Sequence, residues 1–316
     1  MLLISRRAAA LGGLAWSAAA QAEPLGPNSD EQLRGRLDRT TRLTVPVEID
    51  GRGPFAFVVD TGANRSVVAA ELAAELGLPP GPPTRVHGIL GLQDAATVAM
   101  HRFAAGRLRL GVSQAAVLKR VDLGCDGLLG LDAFHDRCVA FDFRRAQVSI
   151  LAGGFGEGER PGPGASLSTD VIVRARQRFG QLTITQAAVD GRQISCFVDS
   201  GAQVSVGNGP MLRALAASAG RGGMTPVPVV LYGATGQEAE AALAAVATLG
   251  VGDLRFTDFV MPFADLHTFS LWGMQERPAM MMGMDLLSLF QRVTVDFRMN
   301  AIRFRLAQAM PAQIRS

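Results

Sequence analysis

Two carboxylates in this chain sit in matching local sequences. Asp60 closes the apolar run Phe57-Val58-Val59 and is followed by Thr61-Gly62-Ala63. Asp199 closes Cys196-Phe197-Val198 and is followed by Ser200-Gly201-Ala202. An apolar run that ends in Asp, a small hydroxyl residue and Gly describes a buried strand delivering a carboxyl group onto a tight turn. Glycine permits backbone conformations and close approaches that a side chain would block. A single Asp-Thr-Gly also marks ordinary turns, so one copy says little. Two copies can face each other. Carboxyl groups held close together cannot both ionise comfortably, so they share a proton. The ionised member can then take a proton from water, and the protonated member can donate one.

The match between the copies runs well beyond the tripeptide. Asn64-Arg65-Ser66-Val67 answers Gln203-Val204-Ser205-Val206, and Gly88-Ile89-Leu90-Gly91 answers Gly233-Ala234-Thr235-Gly236. Leu128-Leu129-Gly130-Leu131-Asp132 answers Met281-Met282-Gly283-Met284-Asp285, and Val139 to Phe143 answers Val293 to Phe297. The offset grows from 139 at the first Asp pair to 154 at the last. Order is kept and spacing widens slowly, as loop insertions in a duplicated unit would produce.

These elements resemble those of aspartic proteases of the pepsin and retropepsin kind, over roughly residues 42 to 306. Each half is short, so the closer likeness is to two retropepsin-like units in one chain. The resemblance implies a mostly β, bilobed acid-protease-like β-barrel fold with internal pseudo-two-fold duplication. It implies an aspartic endopeptidase in which Asp60 and Asp199 activate water between them at the base of a cleft. Thr61 and Ser200 would hydrogen-bond across that base, and Gly62 and Gly201 would let backbone N–H groups approach the carboxylates. Gly88 and Gly91, and Tyr232, Gly233 and Gly236, mark two hairpins that are flap candidates over a peptide or protein substrate in extended form. Where pepsin-like enzymes carry a flap tyrosine, this chain has His87; its only Tyr, Tyr232, lies beside the second hairpin. Such chemistry needs no covalent intermediate, metal or cofactor. Asp132, Asp142, Asp285 and Asp296 recur between the copies, but they follow Gly or sit in terminal hairpins and read as structural.

The rest of the chain reads as two supports for the pair. Met1 to Ala22 has Arg6-Arg7, a small apolar core and the cleavage-like Ala20-Gln21-Ala22, and so resembles an export signal of the twin-arginine type. A periplasmic or secreted protein follows from that reading. Residues 23–152 form the expected first lobe, with Pro24 to Thr40 a loose lead-in. Ser66 to Leu76 reads as a helix stopped by Gly77. Residues 153–168 are a linker, with six Gly and two Pro between Gly153 and Gly164. Residues 169–316 form the second lobe. Ala264 to Arg277, with Trp272, has no sequence counterpart in the first half and is either cleft wall or surface loop.

Composition narrows the function classes. The formal charge is +3, and removal of Arg6 and Arg7 with the leader takes it to +1, which gives no electrostatic case for nucleic acid. The apolar stretches are too short for stable membrane insertion. The four His do not cluster, and Cys125, Cys138 and Cys196 lack metal-ligand spacing. A Cys125–Cys138 disulfide would suit an oxidising compartment. Two complementary motifs in one chain allow the halves to pair internally, so a monomer suffices. The competing reading is a non-catalytic, protease-like peptide-binding module of the cell envelope.

Overall fold

The computed structural model of the chain describes residues 30–38, 42–134, 137–152, 170–178, 181–218 and 225–306. The expected leader 1–22 and linker 153–168 lie outside these residues. Each half is built round the same motif. Leu43–Ile49 and Arg52–Val59 form an antiparallel hairpin. Its turn holds Asp50 and Gly51 at φ 50° and 80°, the conformation that makes Asp-Gly a hairpin signal. Gly127–Leu129 runs parallel to Arg52–Val59, with Leu129 opposite Val59, and antiparallel to Val67–Ala69. In the second half, Gln181–Val189 pairs with Arg192–Val198 around Asp190-Gly191, at φ 45° and 76°. Ala279–Met282 runs parallel to Arg192–Val198, with Met282 opposite Val198, and antiparallel to Val206–Gly207. The central strands are buried on both faces, which is why they read as continuous apolar runs rather than as alternation.

The halves are joined by a six-strand sheet that reads the same from either edge. Its order is Glu31–Arg34, Gln147–Leu151, Cys138–Asp142, Arg292–Asp296, Ala301–Arg305, Asp170–Arg178. At its centre Ala140 lies opposite Thr294, its own counterpart at the offset of 154. A residue can pair with its own repeat image only on the symmetry axis, so the pseudo-two-fold axis passes here. The expectation of a loose lead-in is overturned for Glu31–Arg34 and Arg36–Leu37, which are strands. Their sequence offers little apolar alternation. They are strands because the exposed edge of Gln147–Leu151 and the strand Leu43–Ile49 template them.

Two further expectations need correction. The helix read from Ser66 begins only at Ala70 (Ala70–Leu76), because Val67–Ala69 is taken up as a strand against Gln114–Leu118 and Gly127–Leu129. Gly77 does end it, in the left-handed conformation at φ 63°. The segment from Ala264 to Arg277 does have a structural counterpart. Its helix His267–Leu271 occupies the place of Arg120–Leu123 in the first half. Both follow a strand lying parallel to the short strand after the Asp turn, and both precede the strand that ends beside the Asp. Cys125 is a free thiol, so the Cys125–Cys138 disulfide is not formed. Among the described residues no helix is long and apolar enough to cross a membrane.

Trp272 is the anchor of the second lobe's wall. It is 1% exposed and packs edge-on against Phe197, ring centroids 4.3 Å apart at 84°. Phe197 stands two residues before Asp199 and also meets Phe269 edge-on at 6.0 Å. We predict that Trp272→Ala lowers the unfolding free energy by about 3–5 kcal/mol, the usual result of emptying a large aromatic site. Urea denaturation followed by circular dichroism measures it; a loss below about 1 kcal/mol would mean that this contact does not hold the wall.

Candidate active site

Asp60 and Asp199 are delivered by the ends of equivalent strands. The Asp60 N–H donates to the Leu129 carbonyl at 2.9 Å and the Asp199 N–H to the Met282 carbonyl at 2.9 Å, so each turn leaves its sheet at the same register. The Asp60 carboxylate accepts from Gly62 N–H (2.8 Å) and Ala63 N–H (3.0 Å). The Asp199 carboxylate accepts from Gly201 N–H (2.9 Å) and Ala202 N–H (3.1 Å). The two carboxyl groups meet across the axis, each lying against the glycine of the opposite turn, and each perturbs the other's acidity. A Cβ on Gly62 would land on the Asp199 carboxylate, and one on Gly201 would land on that of Asp60. No other residue type fits at either position.

The turns are clasped by the hydroxyl residues. Thr61 N–H donates to Ser200 Oγ (3.1 Å) and Ser200 N–H to Thr61 Oγ1 (3.0 Å). Thr61 Oγ1–H donates to the Val198 carbonyl (3.1 Å) and Ser200 Oγ–H to that of Val59 (2.7 Å). Each hydroxyl thus gives its one proton to the opposite strand and accepts from the opposite turn. Both residues are at most 2% exposed, so water cannot substitute for these partners. The sequence placed Thr61, Gly62, Ser200 and Gly201 around the pair, and the structure brings all four there.

A second pair of contacts escaped the sequence reading. Asp132 accepts from Ser66 N–H (2.9 Å) and Ser66 Oγ–H (2.7 Å), and Ser66 Oγ accepts from Gly130 N–H (3.1 Å). Asp285 accepts from Ser205 N–H (2.9 Å) and Oγ–H (2.6 Å), and Ser205 Oγ accepts from Gly283 N–H (3.0 Å). These triads tie the end of each Asp-bearing loop to the neighbouring strand. The recurrence of Ser66 as Ser205 was the available signal. Asp142 and Asp296 hold the turns of the terminal hairpins by accepting from Arg145 N–H and from Arg298 and Met299 N–H. All four extra carboxylates are therefore occupied with structural partners.

Electrostatics distinguishes the two acids. Burial pushes the Asp60 carboxyl above its ordinary range, opposed by the Gly62 and Ala63 N–H groups and by the Arg42 charge. Burial pushes Asp199 up much further, and the neighbouring Asp60 charge adds to it. Arg42 was not singled out by sequence. It is ion-paired with Asp38 at 2.8 Å and donates to the Leu123 carbonyl at 2.7 Å, and it lines the cleft on the Asp60 side. Both acids are thus pushed toward the protonated form, and the pair titrates as a unit.

Above the pair lies a cleft of about 600 Å³. Both flap candidates line it: the hairpin Pro80–His87 with Leu92–Ala99, and the hairpin Val227–Tyr232 with Glu238–Val251. Their tips meet. Gly88 abuts Thr235, Gly91 abuts Gln237, and Gly233 abuts Leu90. Gly236, at φ 73°, reaches Asp122 on the first lobe's wall. Tyr232 lines the cleft yet stays 75% exposed. His87 also lines it and contacts His267. Leu266, Thr268, Leu271 and Trp272 form the opposite wall, so the segment from Ala264 to Arg277 is cleft wall. Among the described residues no group of three or more potential metal ligands converges.

Paired lobes related by a pseudo-two-fold axis, with an Asp from each at the floor of one cleft, define the aspartic protease class. A family model described as aspartyl protease matches residues 45–133 and 185–286, one stretch in each lobe. The chain belongs to the aspartyl protease family, as two retropepsin-like units in tandem. No curated protein matches it at a significant level.

The raised acid gives a signed prediction. A carboxyl whose folded-state pKa lies above its unfolded value favours folding at low pH, and that contribution is lost as pH rises through the folded value. Asn mimics the protonated acid at every pH. Asp199→Asn should therefore be more stable to urea than wild type at pH 7, with the difference vanishing below about pH 4, near the ordinary Asp value. Equal stability at pH 7 would refute the raised pKa of Asp199.

Proposed function

We propose that this protein is an endopeptidase with Asp60 and Asp199 as its catalytic pair. The observation that carries the reading is the mutual placement of the two carboxyl groups. Asp199 is buried, Asp60 is half-buried on the cleft floor, and the turns that carry them are fixed by the Thr61–Ser200 clasp. In this mechanism Asp60 takes a proton from a water molecule seated between the carboxyl groups. The water oxygen attacks the peptide carbonyl carbon while Asp199 donates its proton toward the carbonyl oxygen. Collapse of the tetrahedral intermediate breaks the C–N bond as the proton held by Asp60 passes to the departing nitrogen and Asp199 takes back a proton from the gem-diol, which leaves the carboxyl product and restores the pair. The N–H groups of Gly62, Ala63, Gly201 and Ala202 hold the carboxylates still throughout.

The substrate in this reading is a peptide in extended form, laid along the cleft beneath the two hairpins, whose backbone can pair with a strand-like ligand. The two walls offer it different chemistry. Arg65 on the first lobe stands where the repeat places Val204 on the second, and both line the cleft. An internal pseudo-dimer therefore distinguishes the two ends of a peptide, which two identical subunits could not do. Export to the periplasm or beyond is part of the proposal and rests on the composition of Met1 to Ala22. Action as a monomer rests on the completeness of the pair within one chain.

The test is cleavage of a denatured protein mixture by the chain beginning at Glu23, between pH 3 and 7. Wild type should cut best on the acidic side, where the pair holds its one proton. Asp60→Asn and Asp199→Asn should each reduce kcat/KM by at least about 10²–10⁴-fold, the usual contribution of a positioned acid or base. A folded wild type that binds an extended peptide at every pH and cuts none would leave the binding-module reading in its place.

A further inference from the structure

We propose that His87 and His267 are positioning residues for this cleft: their ring-to-ring hydrogen bond pins the first hairpin to the second lobe, leaving the second hairpin as the moving flap. The inference deepens the proteolytic reading and rests on it for its functional meaning. His87 Nδ1 and His267 Nε2 lie 3.0 Å apart, although the residues are 180 positions apart in the chain. The rings are near parallel, with centroids 5.3 Å apart at 10°. Their nitrogens approach more closely than stacked ring faces can, so the contact runs edge to edge and is an N–H···N bond. Beside it, Thr268 N–H (3.4 Å) and Oγ–H (3.2 Å) both donate to the Ile89 carbonyl. Ile89 and Leu90 pack on the apolar cluster that contains Leu266, Phe269 and Trp272. Through Trp272 and Phe197 that cluster is continuous with the strand carrying Asp199. The first hairpin is thus fixed with respect to the carboxyl pair.

The second hairpin also packs on that apolar cluster, through Val229 and Leu231, but it has no equivalent hydrogen-bonded fastening. Its counterpart of His87 is Tyr232, which is largely exposed. The bonds at its tip are internal, Gly233 N–H to the Gln237 carbonyl and Gly236 N–H to the Gly233 carbonyl. Among the described residues no hydrogen bond joins this tip to the first lobe. The duplication supplied two hairpins, and the His267–Leu271 segment hydrogen-bonds only the first.

The fastening counts protons. One N–H must lie between the two rings. A single added proton elsewhere on the pair preserves that bond and strengthens it by charge. A second sets N–H against N–H and places two like charges in contact. Arg85, on the same strand as His87, adds to the positive charge. Asp94 lies opposite Arg85 in register across the hairpin, and Asp265, before the His267 helix, is engaged by Gly209 N–H. The second hairpin faces the site with the neutral Thr235 and Gln237. His87 is exposed; the slight desolvation it has, then the His267 and Arg85 charges, hold it below the ordinary His range. The pinned state therefore rejects the last proton, whereas a free His accepts one near pH 6.5, its approximate unperturbed value. Pinning is complete above that range and is lost as pH falls through the lowered value.

Hydrogen exchange on the full chain tests this, read over residues 86–92 and 264–272 between pH 7.5 and 4.5 and corrected for intrinsic exchange. In wild type, protection of both segments should fall together as pH falls. In His267→Phe and in His87→Phe, which keep a ring but remove the nitrogens, protection at pH 7.5 should drop about fivefold, the ratio that one net hydrogen bond is worth. Protection in these variants should no longer depend on pH. The kcat/KM profile of wild type should carry a titration between roughly pH 5 and 7 that both variants lack. Wild-type protection that ignores pH, or Phe variants that match wild type, would overturn the proposal. If the chain cuts no peptide, exchange still decides the pin, while the carboxylate variants separately decide the protease reading.

Discussion

Everything in this molecule depends on holding two carboxyl groups against each other at the floor of a cleft. That arrangement is unfavourable in isolation, because burial and like charge both oppose ionisation. It persists because the surroundings over-determine it. Four backbone N–H groups point at the carboxylates. The Thr61–Ser200 clasp fixes the turns from beneath. The Ser66–Asp132 and Ser205–Asp285 triads fix the loop ends from the side. Gly62 and Gly201 leave the room that any side chain would fill. The strain of the pair is distributed over both lobes, so neither lobe alone could maintain it.

The pseudo-two-fold axis organises that support and also shows where the copies have parted. On the axis Ala140 pairs with its own image, Thr294, and there the backbone of the two halves remains alike. Away from it they diverge. Arg42 biases the electrostatics toward a charge on Asp60. Trp272 fills the wall of the second lobe alone. His87 and Tyr232 occupy matching places on the two hairpins, and only the first meets a partner on the facing wall. A tandem chain is free to do this because a change in one half need not be repeated in the other. A symmetric dimer of identical subunits has no such freedom.

Much of this was legible in the amino-acid order. The repeat of Asp, hydroxyl and Gly after an apolar run identified both acids and their immediate supports, because strand burial and tight-turn chemistry are local rules. The same repeat fixed the doubling of the fold. Glu31–Arg34 was not legible as a strand, since its pairing partner Gln147–Leu151 lies more than a hundred residues away and supplies the edge that shapes it. Ser66 to Ala69 read as helix for the same reason: its strand state exists only between two neighbouring strands. The likeness between the helices Arg120–Leu123 and His267–Leu271 was hidden because position in the fold was kept while sequence was not.

The sequence by itself therefore determined which groups do chemistry and that there are two of each. Those facts follow from residue type and spacing, which survive without coordinates. Only the tertiary structure decided how the copies differ in use: which acid feels the Arg42 charge, which hairpin is hydrogen-bonded to the facing wall, and how Trp272 packs. Each of these turns on a charge or ring contributed from a distant part of the chain. His267 meets His87 at 3.0 Å across 180 positions, and the charge of Arg42 reaches Asp60 through space. No local pattern records that proximity.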